Sequence, residues 1–206
     1  MFSHDFTCHY PSLRGRGRLF DTAARDNIND LVDDILPTLL ALKDKPISFF
    51  GHSMGGLIAY EVAIKLVVEY GIVPEHMFIS AFRPPQIPHE REPLHMMSDF
   101  ELYTTIKAIG GISEDISYDN IKPFLPTLTA DFKLCETYTC MHSIALPCQM
   151  TIIWGNQDTL LPLDEMGRWQ EKSDFKIKSD IFNGGHFYLS ENVIKLTNLI
   201  QSTILE

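Results

Sequence analysis

Cysteine is scarce in this 206-residue chain, and the four present, Cys8, Cys135, Cys140 and Cys148, match neither metal-ligand spacing nor a disulfide framework. They read as reduced thiols of an intracellular protein. Basic residues are outnumbered, 17 Lys and Arg to 27 Asp and Glu, and the formal net charge is −10 at pH 7. The nearest thing to a basic run is the scattered Arg14, Arg16 and Arg18, too short for a nucleic-acid surface. No apolar stretch approaches the length of a membrane span, so no stable membrane association is expected. Residues 1–5 lack the charged and apolar regions of a signal peptide, and a cytoplasmic location follows as the expectation. Repeats and low-complexity segments are missing too. What is plentiful is apolar content: at 45% it is ample for one core, and a single domain over 1–206 is expected.

Residues 47–70 organise the rest. Ile47-Ser48-Phe49-Phe50 reads as a buried strand, and Leu57, Ile58, Val62, Ile64, Leu66 and Val67 recur at helical spacing. Between them lies Gly51-His52-Ser53-Met54-Gly55, a G-x-S-x-G pattern in the strand-turn-helix context of a nucleophile elbow. A strand that becomes a helix over one residue strains that residue, and the flanking glycines allow close backbone approach. Ser53 is therefore the candidate nucleophile. The Met54 N–H, at the first turn of the helix, is the candidate oxyanion donor.

A nucleophilic serine needs a base and an orienting acid. Asn183-Gly184-Gly185-His186-Phe187-Tyr188 follows an alternating segment, 175–182, and precedes a periodic helix over 191–205 that Ser190 is placed to cap. That frame selects His186 as general base. His52 sits inside the elbow, and His4, His9, His76, His89, His95 and His142 lack a comparable strand-loop-helix frame. For the acid, 148–154 reads as a strand ending in Gly155-Asn156-Gln157-Asp158. An aspartate there also suits an Asx-turn. The order Ser53, Asp158, His186 is nevertheless the hydrolase chain order, each member after a strand, which favours Asp158 over its rivals Asp164 and Asp180.

The remaining segments suggest an α/β architecture, a mostly parallel sheet flanked by helices. A short strand is expected at 6–10, then a loop at Pro11-Ser12-Leu13-Arg14-Gly15-Arg16-Gly17. A helix over 26–43 carries Pro37, which should kink it or start a new turn. Residues 76–80 form another strand. Over 82–147 the alternation gives way to a helical insertion, with a capping box at Ser98-Asp99-Phe100-Glu101, a stop at Gly110-Gly111 and an amphipathic stretch at 124–142. This insertion reads either as a lid over an apolar pocket, with Met96, Met97, Phe100 and Phe132 as substrate-contacting residues, or as a helical subdomain packed on itself.

Taken together, Gly51-His52-Ser53-Met54-Gly55, Trp154-Gly155-Asn156-Gln157-Asp158, Gly184-Gly185-His186-Phe187-Tyr188 and Leu125-Pro126-Thr127-Leu128-Thr129-Ala130-Asp131-Phe132 resemble the type II thioesterases. These are α/β-hydrolase enzymes that work beside nonribosomal peptide and polyketide synthases, with the vertebrate fatty-acid chain-terminating thioesterase among their kin. The resemblance implies Ser53, Asp158 and His186 as nucleophile, acid and base, and an acyl or peptidyl carrier protein as partner. It implies no metal or bound cofactor, the phosphopantetheine arm arriving with the substrate. Leu13-Arg14-Gly15-Arg16-Gly17 replaces the family's Leu-Pro-Gly-Arg-Gly, and Thr129 stands where an arginine is usual. The family's first strand and an aromatic-small-Gly-Gly loop, which supplies a second oxyanion donor, are not among these residues, leaving Met54 N–H as the identifiable donor. The competing readings are a carboxylesterase or acyl-CoA hydrolase, and a catalytically impaired partner of a synthase. Arg83, Arg91 and Lys107 form the candidate basic patch for docking an acidic carrier, against solvated surface charge as the simpler account.

Overall fold

A computed structural model describes residues 6–205; residues 1–5, with His4 and the signal-peptide reading, lie outside it. In chain order its helices and strands are α1 (Ile28–Leu40), β1 (Ser48–His52), α2 (Met54–Tyr70), β2 (His76–Ser80), α3 (Asp99–Ala108), α4 (Tyr118–Ile121), α5 (Leu125–Thr137), β3 (Gln149–Gly155), β4 (Lys178–Phe182) and α6 (Val193–Leu205). A ten-residue 3-10 helix, Leu163–Lys172, lies between β3 and β4. The chain divides into two compact units, an α/β unit (6–11, 38–84 and 142–205) and a helical unit (12–37 and 85–141).

The α/β unit is built on a four-stranded parallel sheet in the order β1-β2-β3-β4. Every residue of β2 is buried, and Met150, Thr151, Ile152 and Ile153 of β3 are buried with them. That is the near-continuous apolar run that a parallel strand covered on both faces requires. The helix α2 is buried without a break from Gly56 to Ile64, so its apolar residues surround it rather than form one stripe. Its end is a left-handed Gly71, whose N–H bonds back to Val67 O. All four strands point the same way, and their C-terminal ends, His52, Ser80, Gly155 and Phe182, share one side of the sheet.

The helical unit has its own core of Leu102, Tyr103, Ile106, Ile112 and Leu125. Helix α3 starts with a full capping box: Ser98 Oγ accepts from Glu101 N–H, and the Glu101 carboxylate accepts from Ser98 N–H at 2.9 Å. It stops where Gly111 N–H bonds to Ile106 O and Gly110 turns left-handed. Two of the sequence motifs meet inside this unit. Arg16 Nη2 donates to Asp131 Oδ1 at 2.6 Å, and Thr127 Oγ1 donates to Gly15 O at 3.0 Å, so the glycine-arginine loop is fastened to α5.

Four local expectations are corrected. Residues 6–10 are coil, not strand. Helix α1 runs from Ile28 to Leu40 rather than over 26–43, and it continues through Pro37 in its last turn instead of starting a new one there. The amphipathic stretch ends at Thr137, and Tyr138 is already extended. Ser190 does not cap α6, because it belongs to a 3-10 turn, Tyr188–Ser190, and its hydroxyl donates to Phe187 O; Asn192 O takes the first α6 bond, from Leu196 N–H.

Candidate active site

Ser53 joins the last residue of β1 to the first of α2 with φ 52° and ψ −123°, a conformation that non-glycine residues avoid. Two features over-determine it. Its N–H donates to Ser80 O at 2.7 Å across to β2, and a Cβ placed on Gly51 would lie 2.0 Å from Gly55 O. Gly55 itself has open space at its own Cβ position, so the tight contact of the elbow is that of the first glycine, with the second supplying backbone. Met54 begins α2, and its N–H is among those a helix start leaves without an intrahelical acceptor.

His186 and Asp158 arrive from the loops after β4 and β3. His186 Nε2 lies 2.9 Å from Ser53 Oγ, and His186 Nδ1 lies 2.8 Å from Asp158 Oδ2. Asp158 serves two purposes at once, since Oδ1 accepts Leu160 N–H at 2.8 Å while Oδ2 faces the imidazole. The Asx-turn reading and the acid reading therefore describe two oxygens of one carboxylate. With Asp158 only 2% and His186 7% exposed, this contact is shielded from water. An acceptor on Nδ1 keeps the proton there and leaves the Nε2 lone pair toward Ser53, the arrangement by which a neutral imidazole takes a hydroxyl proton. Asp164 lies in the 3-10 helix after Asp158, and Asp180 lies in β4; the His186 contact is made by Asp158.

A second polar chain beside the first was not legible in the sequence. His52 Nδ1 is 2.8 Å from Ser80 Oγ, which is 2.6 Å from Tyr188 OH. The His52 ring centre is 5.3 Å from that of His186. Burial, reinforced by His186, pushes the His52 pKa down to about 3, and burial likewise raises Tyr188 to about 12. Phe187 stands edge-on to His186, with ring centres 5.1 Å apart, and remains partly exposed. The only signal for this chain in the sequence was the adjacency of His52 to Ser53 and of Tyr188 to His186.

The expected substrate-contacting residues divide. Met97 and Phe132 pack against the core of the helical unit, whereas Met96 and Phe100 are exposed, Phe100 lying edge-on to Tyr118. Of the candidate docking cations, Arg83 is corrected: it is buried, with its guanidinium 5.2 Å from the Phe82 ring centre. Lys107 Nζ is engaged by Glu114 O at 2.6 Å and Ile116 O at 3.3 Å. Arg91 is exposed. Among the described residues no helix is long and apolar enough to cross a membrane, and no group of three or more His, Cys, Asp or Glu is placed to hold a metal ion.

Comparison with known proteins gives the lineage. A thioesterase domain model matches residues 4–203. Linear gramicidin dehydrogenase LgrE of Brevibacillus parabrevis is 30% identical over 198 residues, covering 93% of this chain and 75% of that protein. Thioesterase PikA5 of Streptomyces venezuelae is 30% identical over 161 residues, 77% of this chain and 57% of its own length, so the chain spans little more than half of that relative. Among solved structures, the type II thioesterase BorB from the borrelidin biosynthetic cluster is 28% identical, with a TM-score of 0.85 over 92% of this chain and 78% of that one. The parallel sheet with its flanking helices is thus that of the α/β-hydrolase thioesterases. Matched over almost its whole length, the chain belongs to the thioesterase domain family.

Proposed function

We propose that this protein is a serine thioesterase that hydrolyses acyl thioesters from the phosphopantetheine arm of carrier proteins, in the cytoplasm, as a type II editing or chain-releasing enzyme of a peptide, polyketide or fatty-acid synthase. The observation that carries the reading is the hydrogen-bonded series Ser53 Oγ, His186 Nε2, His186 Nδ1 and Asp158 Oδ2, at 2.9 and 2.8 Å. Membership of the thioesterase domain family supports a thioester as the substrate.

In this mechanism Ser53 Oγ attacks the thioester carbonyl carbon as its proton passes to His186 Nε2. The carbonyl π electrons move to oxygen, and Met54 N–H faces the resulting oxyanion. When the electrons return, the C–S bond breaks and the pantetheine sulfur leaves with the proton from His186. Water then attacks the acyl-serine ester by the same route, releasing the acid and restoring Ser53. Asp158 stays ionised and stabilises the imidazolium in both halves. Thiolate is a good leaving group, so a thioester asks less of oxyanion stabilisation than an amide would.

The test begins with intact-mass measurement after exposure to a fluorophosphonate. One adduct on the parent chain, absent from Ser53→Ala and slowed at least about a hundredfold in His186→Ala, is the expected result. Turnover of an acyl-loaded carrier protein is then compared with an acyl-CoA and a small oxyester. Faster turnover of the carrier supports the proposal, preference for the oxyester replaces it with a carboxylesterase, and a folded chain that takes no adduct sinks the serine mechanism.

A further inference from the structure

The end of β1, the end of β2 and the loop after β4 are tied together by side chains that the proton transfer itself does not use. His52 and Ser80 are register partners on neighbouring parallel strands, which puts their side chains on one face of the sheet. His52 Nδ1 meets Ser80 Oγ at 2.8 Å, and Ser80 Oγ meets Tyr188 OH at 2.6 Å. Ser80 also holds the nucleophile by its main chain, since its carbonyl accepts Ser53 N–H at 2.7 Å.

The proton count gives this bridge a direction. If Tyr188 O–H donates to Ser80 Oγ and Ser80 O–H donates to His52 Nδ1, the imidazole is the Nε2–H tautomer. His52 Nε2 is buried without a hydrogen-bonding partner among the described residues, so that arrangement leaves one polar group unsatisfied. The opposite direction leaves two, the Tyr188 proton and the Nε2 lone pair, and each buried orphan carries an uncompensated desolvation cost. His52 is therefore an acceptor at Nδ1.

We propose that His52, Ser80 and Tyr188 are positioning residues that hold the His186 imidazole within reach of Ser53. The proposal rests on the reading of Ser53, His186 and Asp158 as the catalytic residues. His52 is peptide-bonded to the nucleophile, and Tyr188 follows the base by two residues, so the bridge closes a short loop of structure around the Ser53 to His186 contact. Ring centres reinforce it, His52 lying 5.3 Å from His186 and 6.0 Å from Tyr188. A His52 that stays neutral adds no second cation beside His186 when the latter is protonated, in keeping with its pKa near 3.

The bridge is tested with Ser80→Ala, Tyr188→Phe, His52→Ala and His52→Asn, the asparagine amide taking the place of Nδ1. Two readouts are compared with the parent chain: the fluorophosphonate labelling rate of Ser53, and the low-field proton resonance of His186 Nδ1–H by NMR. A displacement of about 1 Å at a reacting group lowers rates by up to about 100-fold. Ser80→Ala and Tyr188→Phe are therefore expected to slow labelling about 10- to 100-fold and to broaden or lose the imidazole resonance, with far-ultraviolet circular dichroism unchanged. His52→Asn should recover part of what His52→Ala loses. Should both conservative variants label within about twofold of the parent and retain the resonance, the bridge is only core packing and the proposal fails. Failure of the parent chain to label overturns the catalytic reading instead, and the imidazole resonance still decides the bridge.

Discussion

Ser53 occupies a backbone conformation that costs on the order of 1–3 kcal/mol, and the contacts around it must supply that energy. Gly51 is the tightest of them, because a Cβ there would sit 2.0 Å from main-chain oxygen rather than from a movable side chain. Gly51→Ala is expected to destabilise the fold by at least about 2 kcal/mol and to abolish labelling of Ser53, which a urea titration and the fluorophosphonate reaction would register together. Asp158→Asn is the subtler substitution: the turn bond from Leu160 N–H can persist while the imidazole loses the carboxylate that sets its tautomer. Turnover is expected to fall by about 10⁴-fold with the melting temperature little changed, and steady-state kinetics beside a thermal melt would show it. The three residues of the hydrogen-bonded series were marked one by one in the sequence, and the second polar chain was not. Ser53, His186 and Asp158 each carry a local signature, a strained turn or a loop after a strand, and such signatures depend on neighbours in sequence. Arg83 was misread because it lies in a loop like any exposed cation, and burial is not a local property.

Among the elements, β2 carries a titration signal. His76, buried at its start, has Nε2 2.8 Å from Thr151 Oγ1 and is stacked on Phe78, and burial with the nearby Lys178 lowers its pKa from the ordinary 6.5 to about 4. Between those two values the unfolded chain binds a proton that the folded chain refuses. Stability is therefore independent of this group above pH 6.5, declines as pH falls toward 4, and changes no further on its account below that. The slope is about 1.4 kcal/mol per pH unit, and His52 adds a second decline of the same sign. His76→Gln is expected to flatten the urea midpoint against pH by about that amount, and an unchanged slope would show that His76 is not responsible. In the helical unit the comparable feature is Gly15, at φ 77°, where a Cβ would lie 2.6 Å from Thr127 Oγ1. Gly15→Ala should cost about 1–3 kcal/mol in the same titration. Element type followed from periodicity for α2 and from the capping box and Gly-Gly stop for α3, whereas the coil at 6–10 and the cap of α6 did not follow from local pattern. An alternating stretch becomes a strand only when a neighbour offers it a ladder, and Ser190 was drawn into its own tight turn.

For the whole molecule the governing quantity is the net charge of −10. If the substrate arrives on an acidic carrier protein, the two partners repel at long range, and salt shortens that repulsion. Raising ionic strength from about 0.01 M to 0.15 M cuts the screening length from about 30 to 8 Å, so kcat/KM for the carrier substrate is expected to rise while that for a neutral small ester stays flat. A fall in the carrier's kcat/KM with salt would instead locate a basic docking patch that overrides the net charge.

The sequence alone determined the types of β1, α2, β2, β3 and β4, the positions and order of Ser53, Asp158 and His186, and the helical character of the inserted region. Each of these rests on residue spacing or on turn chemistry, which the chain carries within a few positions. Tertiary structure decided which partners those residues meet. It put one Asp158 oxygen on a turn and the other on His186, joined Arg16 to Asp131 across 115 positions, and linked His52 to Tyr188 through Ser80. Pairings of that kind depend on strand order and register in the sheet unit and on helix packing in the helical unit, which arise only when apolar residues distant in sequence are buried together and every polar group enclosed with them must find a partner.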